Sequence, residues 1–274
     1  VNSDDYRAYV GGTSGLIYGY VNDGFYTVDD FASFDAQART WKLKAGVVDS
    51  SPLSDTPRPG NAKFKKLTPV DPNSTNPYQL TEADRTVIGN TTPKFSGGFG
   101  LNATYKGFDL SMFFSYMYDF DVLNANKIML TTWADNKDNN FLMDIASDKR
   151  WRNFDDMGNE IRYSPEILAE FNKDATMWNP TSIGRPISMS YAVEDGSFLR
   201  LSSATFGYTL PVAWTRNVGL NKVRFYVSGN NLFVLTGYSG YDPEVNIATG
   251  LTPNIDYNRY PRSRTYTFGA QLTF

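Results

Sequence analysis

The chain has 274 residues and a formal net charge of −3, so its length permits a full all-β core and no basic footprint marks it as a nucleic-acid binder. Aromatic residues make up 15% of it, too many for a disordered chain. Cysteine and histidine are absent, which removes disulfides, thiolate metal sites, the commonest zinc ligand and the commonest general base. These absences point away from an enzyme and call for no cofactor, and no uncharged apolar run approaches the roughly 18 residues of a spanning helix.

The opening VNSDDYRAYVGG lacks the basic start and apolar stretch of a signal peptide, which fits a chain whose leader has been removed by processing or, as the preferred reading, one that begins within a longer protein. The first extended candidate is short, Leu16 to Val21 in GLIYGYV. From Phe95 to Tyr105 the odd positions Phe95, Phe99, Leu101, Ala103 and Tyr105 oppose Ser96, Asn102 and Thr104, a period of two. After Lys106-Gly107 the alternation resumes, with Phe108, Leu110, Met112, Phe114, Tyr116 and Tyr118 on one face, so the pair predicts a hairpin with a two-residue turn. PEILAEFN, Pro165 to Asn172, predicts a short helix with Ile167, Leu168 and Phe171 on its apolar side.

Phe198 to Tyr208 also reads as extended, but its parity breaks: Leu199 and Leu201 fall in one register, Ala204, Phe206 and Tyr208 in the other. A β-bulge near Ser202-Ser203 reconciles them. Val223 to Phe233 alternates Val223, Phe225 and Val227 against Arg224, Tyr226 and Ser228, and the last ten residues place Tyr266, Phe268, Ala270, Leu272 and Phe274 on one face.

The links between the six runs are roughly 70, 2, 80, 14 and 30 residues long, the alternation of short turns and long loops that outer-membrane barrels show. It makes the first run rise outward and the last descend, with the C-terminus in the periplasm. A strand of about ten residues tilted near 40° spans roughly 25 Å, the height of an outer-membrane apolar band. A soluble β-sandwich would alternate too, but has no need of such loops between so few strands. Six strands fall short of the smallest transmembrane barrel, of about eight, and open edges in lipid leave backbone groups unpaired. Other strands, from the same precursor or a separate chain, are therefore expected to close the wall.

GLIYGYVNDGFYTVDDF, DRTVIGNTTPKFSGGFGLNATYKGFDLSMFF, VEDGSFLRLSSATFGYTLP, VRFYVSGNNLFVLTGYSGYDPEV and YPRSRTYTFGAQLTF follow one another in an order that resembles the C-terminal region of the SusC/RagA family of TonB-dependent outer-membrane transporters. The resemblance implies an all-β fold in which the chain is an antiparallel transmembrane β-barrel segment, about six C-terminal strands of a 22-stranded barrel with long extracellular loops. It also implies a plug and a TonB-contacting segment outside residues 1–274, a SusD-like surface lipoprotein as partner, outer-membrane lipid around the wall, and import of glycans or peptides. A passive porin segment would share the strand pattern.

Terminal Phe274 matches the aromatic end that barrel-assembly machinery recognises, or is a girdle aromatic. In YSGYDPEV, Tyr238, Tyr241 and Asp242 belong to a turn-rich loop that either touches cargo or scaffolds the mouth. Trp133, Trp151 and Trp178, with Tyr163 and Tyr191, either contact sugar or lipoprotein or form a small core for a long loop. Glu194-Asp195-Gly196 predicts the turn into a descending strand, Leu210-Pro211 its end, and Arg200 faces the lumen because a charge on the lipid face costs about 2 to 4 kcal/mol. The family often carries a calcium-type DxNGDGxI loop where this chain has Asp71, Pro72, Asn73, Ser74 and Thr75, so no calcium is expected there. The acidic pairs Asp4-Asp5, Asp155-Asp156 and Glu194-Asp195 read as turn residues rather than catalytic carboxylates.

Overall fold

The structure is a computed structural model that describes residues 5–54, 56–132, 140–146, 148–183, 186–245 and 252–274. Strands dominate it, with a few short helices, and it divides into two units. One comprises Val1–Asn90, Leu123–Val193 and Ile247–Tyr257, the other Thr91–Val122, Glu194–Asn246 and Asn258–Phe274.

The second unit is a five-stranded antiparallel meander of β1 (Phe95–Tyr105), β2 (Phe108–Tyr118), β3 (Phe198–Thr209), β4 (Lys222–Thr236) and β5 (Thr265–Thr273), each paired with its neighbour in sequence. The β1–β2 turn is the two-residue one the alternation predicts. Lys106 and Gly107 both have positive φ, 47° and 89°, as a type I′ turn demands. Glycine is also required at 107 by space, since a Cβ there would lie 2.8 Å from the Thr209 carbonyl oxygen.

The bulge sits where the parity break puts it. The pairings of β3 with both β2 and β4 shift between Leu201 and Ser203, leaving Ser202 as the extra residue. Opposite it β4 passes from Asn230 to Phe233 with two residues to spare, and Asn231 takes a positive φ of 53°. One extra residue inverts the facing of everything beyond it and two restore it, which is why alternation breaks along β3 and survives along β4.

The sixth candidate run does not join this sheet. Leu16–Gly19 pairs instead with Tyr6–Arg7 and Thr86–Asn90 in the other unit, so the sheet holds five strands rather than about six. At about 3.3 Å per residue its four residues rise only about 13 Å. Ile17 is fully buried, and Tyr20 just beyond the strand is buried as well.

The first unit is assembled from the two long links and parts of the flanking chain. Its core gathers Tyr6, Ile17, Tyr20, Phe64, Leu123, Ile128, Trp178 and Met189, with a second cluster of Trp151, Ile161 and Leu168. Segments of this length cannot leave so many aromatics in water and bury them against one another. The helix Pro165–Phe171 forms as predicted and packs Leu168 and Phe171 on the Trp151 cluster, but Ile167 is 57% exposed, so the apolar side is narrower than expected.

A buried carboxylate fastens this unit. Asp84 accepts from the backbone N–H groups of Leu67 (2.9 Å), Thr68 (2.8 Å) and Thr81 (2.8 Å) and from the hydroxyls of Thr68 (2.7 Å) and Thr81 (3.0 Å), with Lys66 Nζ at 3.3 Å. Burial alone would raise its pKa; the hydrogen bonds from Thr68, Thr81 and Leu67 outweigh burial and hold the carboxyl far below the usual range.

Candidate membrane wall and loop anchor

Strand pairing determines which side chains share a face of the meander. Across the sheet Leu101 lies beside Met112, Met112 beside Ala204 and Ala204 beside Gly229; likewise Ala103, Leu110, Phe206, Val227 and Phe268 form one row. The rows on either side are equally apolar: Phe99, Phe114, Leu201 and Phe233 in one, Tyr105, Phe108, Tyr208, Phe225 and Ala270 in the other. Phe99 stacks on Phe114 with centroids 5.0 Å apart, and Phe108 lies 4.4 Å from Tyr208. Phe206 is in the central strand, flanked by neighbours on both sides, and is still 47% exposed. The face is therefore open to its surroundings from the front, which a sandwich core would not be.

The opposite face is mixed: Phe113 and Tyr226 stand on it and Phe198, Met117 and Val234 form part of an apolar cluster at one end, but between them lie polar pairs. Ser115 and Ser202 place their hydroxyl oxygens 2.7 Å apart, and Thr205 donates to Ser228 at 3.0 Å. Arg224 Nε donates to Asp109 Oδ1 at 2.9 Å, with a second bond from Nη2 to Oδ2. The pair reaches diagonally past Gly207, which stands opposite Asp109 in one ladder and Tyr226 in the other, while Arg224 stands opposite Thr209. A Cβ at 207 would lie 2.5 Å from Arg224 Nη2 and 2.7 Å from Asp109 Oδ1, so a side chain there would have to push the ends of the bridge aside. Among the described residues β1 pairs only with β2 and β5 only with β4, so both margins carry open backbone groups.

Arg200 points from the face that carries Ser115, away from the aromatic rows, but it is covered. Its side chain is 3% exposed, Nη2 donates to Asp242 Oδ1 at 2.6 Å and Nε lies 2.6 Å from Glu244 Oε2. Glu244 also meets Arg262 Nη2 at 3.1 Å. The loop after β4 is thus clamped to β3 by two carboxylates, and a water-side probe at 200 would not reach the native position.

The sequence-predicted contact residues separate accordingly. Tyr238 is buried with Phe120, Phe198 and Val245, and Asp242 is spent on Arg200, so neither presents a contact surface; both scaffold the loop. Tyr241 between them is 79% exposed. Trp151 and Trp178 are each 2% exposed: Trp151 packs edge-on against Phe25 and Trp178 against Tyr191, which makes them core and not the stacking platforms they could have been. Trp133 and Asp4 lie outside the described residues. Phe274 continues the apolar parity of β5 and is 83% exposed.

The turns follow the sequence. Asp195 Oδ1 accepts from Ser197 N at 2.8 Å, and β3 ends at Thr209 before Leu210-Pro211. Asp155 accepts from the side chain and backbone of Asn159 and from Met157 N, hydrogen bonds that outweigh burial and hold its carboxyl below the usual range. Asp71 Oδ1 accepts from Asn73 N at 2.9 Å, closing a local turn. The described residues hold no group of three or more carboxylates poised for a metal. Missed at the sequence level were the Asp109–Arg224 bridge and the roles of Glu244 and Arg262. Opposite charges at like-facing positions were the signal for the first.

No protein-family profile matches the chain. TonB-dependent receptor P3 of Formosa agariphila is 32% identical over 266 residues, 95% of this chain and 22% of the receptor. SusC of Bacteroides thetaiotaomicron, also a TonB-dependent receptor, is 35% identical over 88 residues, 31% of this chain and 8% of the receptor. The chain belongs to the SusC/RagA family of TonB-dependent receptors. Its fold agrees: the RagAB peptide transporter matches with a TM-score of 0.60 at 22% identity over 96% of this chain and 23% of the other, and the RagAB peptide importer in its open-open state with 0.55 at 22% over 94% and 22%. The chain spans under a quarter of the length of the curated TonB-dependent receptors it matches.

Proposed function

We propose that the polypeptide carrying this chain is an outer-membrane importer, driven by TonB, that takes up glycans or peptides with a SusD-like surface lipoprotein. The five-stranded meander forms part of the barrel wall, with its aromatic face in lipid and its polar face toward the lumen. The reading assigns residues 1–274 to the C-terminal part of the barrel, with the C-terminus periplasmic and Phe274 as the assembly signal. Plug, TonB-contacting segment and remaining strands come from other residues or another chain.

One observation carries this reading: a five-strand apolar face, open in front, on a sheet with open margins. In lipid each unpaired backbone group costs several kcal/mol, so such a sheet is stable only when further strands seal it. The relatives by sequence are named as receptors and those by fold as transporters, which agrees with a wall and not with a catalytic domain.

Uptake of fluorescent oligosaccharides and peptides by cells expressing the full polypeptide, with and without TonB, tests it. Accumulation should stop when TonB is removed, and a surface lipoprotein should copurify in detergent. Uptake that continues at the same rate without TonB would identify a passive pore instead.

A further inference from the structure

One end of the meander carries more than its strands need. Lys106 stands there in the β1–β2 turn, the Gly107 carbonyl accepts from Thr209 N at 2.7 Å, and Asn221 N donates to the Thr273 carbonyl at 2.8 Å. The turn, the β3–β4 link and the last residues of β5 therefore share this end. Two residues suffice to join β1 to β2, yet the β3–β4 link runs over residues 210–221. It is wound into a short helix, Val212–Thr215, and a 3-10 turn, Arg216–Val218, closed by Gly219 with a φ of 74°.

The helix packs against β4, where Val223, in step with Phe225 and Val227 of the aromatic face, is buried. Thr215 is buried as well, yet Trp214 beside it is 64% exposed, and Val212 is exposed with it. Tyr105 and Phe274 are open at the same end. An indole has an apolar body and a single N–H donor, and it prefers the boundary between hydrocarbon and water to either side of it. A link that folds part of itself away while holding its largest apolar side chain outside fits such a boundary.

The charge at this end is one-sided. Lys106, Arg216, Lys222 and Arg224 stand there against Asp109, in a chain whose net charge is −3. Arg224 holds Asp109 through two hydrogen bonds, and Lys222 acts on the same carboxylate at longer range. Lys106 Nζ lies 5.2 Å from the centre of the Tyr105 ring, a contact that leaves its charge uncancelled. Among the described residues no acid forms an ion pair with Lys106, Arg216 or Lys222. Lys106 follows Tyr105 directly and Lys222 precedes Phe225 by three residues, so positive charge begins where the apolar rows end. At about 4.8 Å per strand, these two lysines are roughly 12 Å apart along the rim, with Arg216 in the link between β3 and β4. Apolar face, indole and cations thus follow one another in the order of acyl chain, headgroup boundary and phosphate. A soluble anion would meet the cations and leave Trp214 bare, and a zwitterionic headgroup would bring a cation of its own.

We propose that this rim binds the headgroup of an anionic phospholipid in the periplasmic leaflet, with Lys106, Arg216 and Lys222 on its phosphate and Trp214 at the level between headgroup and acyl chain. The proposal rests on the reading of the meander as membrane wall and adds which lipid the wall prefers at its periplasmic end.

The test is native mass spectrometry of the full polypeptide, equilibrated in detergent with equal amounts of phosphatidylglycerol and phosphatidylcholine of the same acyl chains. Phosphatidylglycerol should be retained at least roughly fivefold over phosphatidylcholine. Lys106, Arg216 and Lys222 are exposed, so Lys106→Gln, Arg216→Gln and Lys222→Gln can be combined without opening a core, and together they should bring the ratio close to one. In liposomes the fluorescence lost in Trp214→Phe should be quenched more by lipid brominated near the headgroup than by lipid brominated near the chain end. A preference that survives the triple replacement overturns the proposal, as does a Trp214 signal that neither lipid quenches. A preference abolished by excess inorganic phosphate also overturns it, since the site then takes a soluble anion. Equal retention of both lipids by the parent refutes the rim site and leaves the wall standing; retention of neither sinks the wall with it.

Discussion

Arg200 and Asp242 meet at 2.6 Å although 42 residues separate them in the chain, one on the polar face of β3 and the other in the loop beyond β4. Both are nearly solvent-free, and Glu244 completes the clamp. A charge buried this way must be paired, so the pair fixes the course of the loop more than it adds net stability.

Breaking the clamp should therefore free the loop. Asp242→Asn leaves Arg200 short of a full countercharge, and loss of a buried partner costs roughly 3 to 5 kcal/mol. Limited trypsinolysis in detergent should cut faster after Arg259 and Arg262 in this variant than in the parent. Unchanged cleavage would mean the loop is held elsewhere.

A side chain at Gly207 has to displace the Asp109–Arg224 bridge. Gly207→Ala is expected to lower the temperature at which the protein loses its folded, fast-migrating form on an SDS gel. The same substitution in an Asp109→Asn, Arg224→Gln background should cost less, because the atoms a Cβ would strike no longer need to meet there.

The two faces of the meander can be told apart chemically, since the chain has no cysteine of its own. Cysteine at Leu110 or Phe206 should react with a lipid-soluble maleimide and resist a charged one in liposomes. Cysteine at Ser111 or Thr205 should show the reverse. Identical labelling at all four positions would contradict a wall between water and lipid.

Asp84 predicts a pH dependence with a definite sign. Its pKa in the folded protein lies below the unfolded value of about 3.9, so the stabilisation is fully present above that value and is lost as pH falls toward the folded one. Tertiary structure around it, followed by near-ultraviolet circular dichroism, should weaken as pH drops below about 4. Asp84→Asn should remove that dependence and cost on the order of 3 kcal/mol at neutral pH.

Expressed without other strands, residues 1–274 should aggregate or require detergent, because both margins of the meander and its apolar face are left open. A monodisperse product in plain buffer would count directly against the wall.

Much of this molecule is local information. Alternation with a period of two marked all five meander strands. The Lys106-Gly107 link and the parity break at Ser202 gave a turn and a bulge, because side-chain facing along a strand is settled by the backbone itself. The cost of a charge in lipid likewise put Arg200 on the polar face from sequence alone. What sequence could not decide was which distant groups meet. The same pattern that made Leu16–Gly19 look like a wall strand served a buried strand elsewhere, and Trp151, Trp178, Tyr238 and Asp242 looked available for contact until packing enclosed them. Burial is a property of what lies opposite a residue, and neighbours that are tens of residues away are chosen by the fold as a whole.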